Sequence, residues 1–184
     1  METIRFIEPP LSGTEAEVLI GVLERTRSVF AWKCQGISST GLNSTLGSSR
    51  VTLGGLLKHL AWVEEQNFGW KLSGRRPSPP WDSVDWRANP DWEWTSAAEN
   101  YPEELKKLWS EAVERSRTAL AGALLTGDLG QPVHIADEDG NHANLRRIIV
   151  DQIDEYARHN GHADLLRESI DGSVGEDPPT GFSW

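Results

Sequence analysis

Asp151–Gly172, DQIDEYARHNGHADLLRESIDG, contains no proline, and its only glycines are Gly161 and the terminal Gly172. It predicts a long helix that Gly172 stops. Glu155, His159 and His162 fall at i, i+4 and i+7, which on an α-helix stacks the three side chains a turn apart on one face. A carboxylate and two imidazoles on one face are what a divalent ion such as zinc requires of a single element. The remaining ligand or ligands must come from another helix, so a metal at this face would dictate how two helices pack.

The rest of the chain supplies such helices. Thr14-x-x-Glu17 has the form of a capping box, and Val18, Leu19, Val22, Leu23, Val29 and Phe30 follow at helical spacing, predicting helix one over 14–33. The Ser/Thr/Gly-rich 36–50 segment reads as a connector. Leu56, Leu60 and Val63 form the core face of helix two over 51–69, and His59 falls inside that stripe. Residues 71–98 form a long connector rich in Pro, Trp and Asp, with Trp81, Trp86, Trp92 and Trp94 clustered in it. A connection of that length is functional or carries its own packing, and the tryptophans point to packing on the helices. Pro102 opens helix three, 101–125, and helix four spans 142–171. Pro132–Ile135 is a candidate short strand, residues 1–13 an extended lead-in and residues 173–184 an irregular tail. The prediction is an all-α four-helix bundle with long connectors, forming one domain over 1–184.

Composition narrows the function. A formal net charge of -10 argues against binding a phosphate backbone. No apolar run is long enough to span a bilayer, and METIRFIEPPLSG lacks the apolar segment of a signal peptide. Cys34 is the single cysteine, which leaves no internal disulfide and no CxxC pattern. These features together place the protein in the cytoplasm.

On helix four, the row Ile148, Gln152, Glu155, His159, His162 and Leu166 has apolar ends around a polar middle, so that middle should face inward. The competing explanation, exposed polar residues or hydrogen-bonded core histidines, serves well for one histidine. It serves less well for two histidines, a glutamate and His59 together. Other residues carry weaker signals. Cys34 reads as a buried thiol before a reactive one. His134 and His142 read as surface histidines, with His142 a candidate for a pocket mouth. Arg146, Arg147, Arg158 and Arg167 could bind an acidic thiol, but a solvated face with partners such as Asp154 explains most of them better. Asp164 could pair with Arg167 or support a histidine ring, and Asp151 lies near the site in sequence.

EYARHNGHADLLRESIDG on helix four, with LGGLLKHLAWVE on helix two, resembles the DinB-like superfamily. The match is to an actinobacterial-type branch related to mycothiol-dependent S-transferases and maleylpyruvate isomerase. The resemblance runs from helix one to Gly172. It implies a bundle, a homodimer, and a three-ligand metal site: the histidine of the LxHL segment, here His59, with an i, i+4 pair on the last helix, here Glu155 and His159. His162 stands where many relatives carry glutamine and is expected to support a ligand or to be an alternative one. Zinc or nickel is the expected metal. The implied activity is transfer of a low-molecular-weight thiol, mycothiol or a similar one, onto an electrophile. Two alternatives stay open: a metal-dependent hydrolase or isomerase, since the same open site can activate water, and a non-enzymatic dimeric metal-binding stress protein.

Overall fold

The computed structural model describes residues 4–184; residues 1–3 of the expected lead-in lie outside them. Helix α1, Glu15–Cys34, starts at the anticipated capping box. The Thr14 amide donates to Glu17 Oε2 at 2.8 Å, and the Glu17 amide donates to Thr14 Oγ1 at 3.3 Å. Helix α3, Leu53–Glu64, is capped by the Thr52 hydroxyl, which accepts from the Gly55 amide at 2.9 Å. Helix α5 spans Pro102–Thr126 and α6 spans Leu145–Asp171. Gly172 ends α6 at φ +75°, the left-handed conformation glycine adopts without strain.

These four long helices lie where the periodicity puts them, and the architecture is all-α, but it is not strictly a four-helix bundle. Two further α-helices form in the connectors: α2, Ser39–Leu42, and α4, Trp92–Thr95. The reason is local. Ser38 caps α2, and both connectors bury apolar side chains such as Leu42, Trp81 and Ala97. Backbone taken out of water with them must find hydrogen-bond partners, and a helical turn supplies them. Helix α3 also continues past Glu64 as a π-helix over Glu65–Leu72 rather than ending near Gly69. That wider turn is held from the side: Asn67 Nδ2 donates to Gln152 Oε1 at 2.8 Å, and Glu65 pairs with Arg75 and Arg115. Strand β1, Pro132–Ala136, pairs antiparallel with β2, His142–Asn144. Helix α6 therefore begins at Leu145 instead of His142, with the Asn144 side chain accepting from the Arg147 amide at 2.9 Å.

Helix α1 packs along α6, while α3 packs on α5 and α6. At their centre Phe30, Trp109 and Tyr156 meet edge to face, with ring centroids 5.4 and 6.1 Å from Phe30. A charged network crosses the same core. Arg27 Nε and Nη2 donate to the two oxygens of Glu64 at 2.8 and 2.6 Å, and the Tyr156 hydroxyl donates to Glu64 Oε1 at 2.7 Å. The tail is irregular but packed: Phe182 is buried, and Trp184 Nε1 donates to Ser110 Oγ at 2.8 Å. The connector tryptophans fold onto α3. Trp62 lies between Trp81 and Trp86, with centroids at 5.1 and 4.7 Å, so the connector's apolar side chains find partners within the chain. No helix among the described residues is long and apolar enough to cross a membrane.

Candidate metal centre

Helices α3 and α6 meet where His59 faces Glu155 and His159. Each of the three offers one ligand atom, and these atoms lie within 4.8 Å of one another. Glu155 Oε2 is 3.3 Å from His159 Nε2 and 3.7 Å from His59 Nε2. Donors sharing one ion at ordinary bond lengths of about 2.0–2.2 Å in a tetrahedral site stand roughly 3.3–3.6 Å apart. The side chains thus need small adjustments rather than refolding to close on a divalent ion. The i, i+4 spacing on α6 brings Glu155 beside His159; the packing of α3 on α6 adds His59.

Both imidazoles have their other nitrogen occupied. His59 Nδ1 lies 3.3 Å from Glu93 Oε1, and His159 Nδ1 lies 3.2 Å from His162 Nδ1. A proton on each Nδ1 leaves the Nε2 lone pair free to bind metal, the usual arrangement for a ligating histidine. His162 therefore contacts a candidate ligand through the ring nitrogen opposite the shared face. Burial, followed by the proximity of His59, His162 and Arg158, pushes His159 down to about 4, so its imidazole is neutral near pH 7. Side-chain exposure is 34% at Glu155 against 9% at His159, so the centre opens toward solvent on the Glu155 side.

The connector completes the surroundings. Trp94 stacks on His59 with centroids 4.5 Å apart and planes 24° from parallel. Gly55, one turn before His59, makes room for it: a Cβ there would meet the Trp94 ring at 3.0 Å. Lys58 Nζ donates to Ser96 Oγ and Asn100 Oδ1 at 2.8 Å each and lies 4.1 Å from the Trp92 ring centre. Glu93 and Trp94 are not marked by any spacing in the sequence; the only hint was the length and tryptophan content of the segment that carries them. A cleft of about 580 Å³ is lined by Glu93 together with Trp62, Gln66, Trp70 and Trp86.

The remaining candidates lie elsewhere. The four arginines are engaged: Arg146 with Glu15, Arg147 with Asp151, Arg158 with Asp154, and Arg167 with Asp171. Asp164 pairs with Lys33 Nζ at 2.7 Å instead of Arg167 or a histidine, because the two sit across the α1–α6 contact. His142 Nδ1 donates to the Val133 carbonyl at 2.8 Å, and His134 packs against Gly74. Cys34 is fully buried, and burial pushes its thiol far above the usual range. A thiol held protonated and shut from solvent is inert. Alkylation with iodoacetamide should be negligible in the native protein and should go to completion in denaturant; rapid native labelling would contradict this placement.

Compared with known families, residues 18–172 match the family described as mycothiol-S-transferase. The matched span runs from within α1 to the end of α6 and includes all three converging side chains. No curated protein matches the chain.

Proposed function

The chain belongs to the mycothiol-S-transferase family, a member of the DinB-like superfamily, and from that premise we propose that it is a metal-dependent thiol S-transferase. In this reading His59 Nε2, His159 Nε2 and a Glu155 oxygen hold one divalent ion, zinc or nickel. The substrate is a low-molecular-weight thiol, mycothiol or a similar one. The observation that carries the reading is the convergence of those three side chains from two helices.

The donor set fits such an ion. Two neutral imidazoles and one carboxylate leave coordination positions open, and they suit zinc and nickel. When bound, the ion supplies a Lewis acid that stabilises a thiolate near neutral pH. The chain's own side chains do the rest. Glu155 contributes one negative charge and, being the most exposed of the three, borders the side from which a substrate arrives. Trp94 covers a face of His59 and excludes water there. The cleft at Glu93 has no basic side chain among its lining residues, so it suits a neutral portion of a substrate. Transfer would form a bond from sulfur to an electrophilic carbon as the bond from that carbon to its leaving group breaks, the leaving group departing with the electron pair and the thiol proton passing to it or to solvent. The homodimer implied by the DinB-like resemblance belongs to the same reading, and light scattering at micromolar concentration decides it.

The test combines metal analysis of the purified protein with an assay using mycothiol and a generic electrophile such as a chlorodinitrobenzene. Near-stoichiometric metal and thiol-dependent loss of the electrophile are expected. Metal-loaded protein that consumes electrophile no faster than the uncatalysed mixture would remove the transferase reading.

A further inference from the structure

We propose that Glu93 is a positioning residue for the metal centre, acting on His59 from the tryptophan-rich connector. The inference rests on the metal reading above and extends it to a residue outside the converging triad. Glu93 is 6% exposed, and its Oε1 lies 3.3 Å from His59 Nδ1. That nitrogen is on the edge of the ring opposite to Nε2, which faces Glu155 and His159. Glu93 accordingly cannot share an ion bound at Nε2; it can only act through the imidazole. A carboxylate accepting the Nδ1 proton fixes the ring's orientation, keeps the proton off Nε2 and makes Nε2 a stronger donor.

Apart from a weaker electrostatic contribution to Lys58, which Glu99 and Glu104 exceed, the fold gives little other use for this carboxylate. Its second oxygen, Oε2, is shut away from solvent and has no hydrogen-bond partner. A buried acceptor left unsatisfied costs stability. Among the described residues its side chain makes no polar contact other than the one to His59. A residue retained for packing alone would be better served by an apolar side chain beside Trp62 and Trp86, which line one cleft with it. The neighbours of Glu93 are also arranged around the same histidine. Trp94 stacks on its ring, and Lys58, the residue before His59, ties α3 to Ser96 and Asn100 just beyond α4. Helix α4 thus holds His59 by one face and one edge, leaving the Nε2 edge toward α6.

The test measures zinc affinity by chelator competition in the full chain and its Glu93→Gln and Glu93→Ala variants, beside the melting temperature of each metal-free protein. Glu93→Ala should lose affinity by about 10–100-fold, the range typical of removing a group that supports a ligating histidine. Glu93→Gln keeps the size and an acceptor but not the charge, so it should fall between Glu93→Ala and the parent at an unchanged melting temperature. Affinity within about two-fold of the parent in both variants would overturn the proposal. So would a loss that follows the melting temperature through both variants, since packing alone would then explain it. The zinc-loaded parent provides an independent readout: proton–nitrogen NMR should show a slowly exchanging His59 Nδ1–H that is lost in Glu93→Ala. Its absence in the parent would overturn the proposal even if neither variant folded. A parent that takes up neither zinc nor nickel would overturn the metal reading and this inference with it, an outcome distinguishable from variants that merely equal a metal-binding parent.

Discussion

Replacing His59 or His159 with alanine should strip the divalent ion from the protein, abolish thiol transfer and leave the helices in place. In the proposed centre each substitution removes one of three candidate donors, and no other His, Cys, Asp or Glu among the described residues joins the cluster. The loss of affinity should therefore exceed the roughly 10–100-fold that follows removal of a supporting group. His162→Ala should stay within that smaller range, because His162 touches His159 Nδ1 and not the shared face. Folding should survive because the core around Phe30, Trp109 and Tyr156 is untouched. Metal analysis, chelator competition and far-ultraviolet circular dichroism on the same preparations check this. Full metal occupancy in His59→Ala would show that α3 supplies no ligand, and equal losses in His162→Ala and His159→Ala would promote His162 to a ligand.

How much of this centre the sequence discloses depends on the distance over which each relation acts. Glu155 and His159 are legible as a pair because an α-helix turns i, i+4 spacing into a shared face. His59 is conspicuous as an imidazole in an apolar stripe, which marks it as a candidate partner for the pair, but which face of α3 meets α6 is a property of packing, and the family resemblance was needed to expect it as the third ligand. Glu93 is 34 residues from His59, in a segment whose turns have no hydrophobic period, so no local pattern connects the two. The same limit explains the fold differences. The four long helices show their periodicity and their caps, as at Thr14 and Thr52. Helix α2 is one four-residue turn within Ser, Thr and Gly, too short for a period to register. The π-helix after Glu64 depends on contacts from Gln152, Arg75 and Arg115, which are remote in sequence or across a turn.

Loss of the Glu64 carboxylate should be among the most destabilising single changes in the chain. Glu64 and Arg27 are fully buried, joined by two hydrogen bonds at 2.8 and 2.6 Å. Burial by itself would push the Arg27 guanidinium down; Glu64 and then Glu24 more than reverse this and hold it above its ordinary value. Burial, then the charge of Glu64, pushes the Tyr156 phenol up, so the hydroxyl stays protonated and donates to Glu64 while accepting from Trp109 Nε1 at 2.9 Å. Glu64→Gln therefore strands a buried cation and weakens the Tyr156 contact. Breaking one side of a buried pair costs about 3–5 kcal/mol. Arg27 keeps Glu24 at 2.7 Å, which places the expected loss toward the lower figure. A change of that size lowers the melting temperature by about 2–4 °C per kcal/mol in a chain of this length. Adding Arg27→Met to Glu64→Gln should recover much of the loss, since the stranded charge is then gone. Denaturant melts of both variants decide the matter: a loss below about 1 kcal/mol, or a double variant no more stable than Glu64→Gln, would show that the network is not what joins these helices. The position gives the result a bearing on function. Glu64 lies five residues beyond His59 on α3, and Tyr156 directly follows Glu155 on α6. The network therefore joins, one turn away from the candidate ligands, the two helices that carry them.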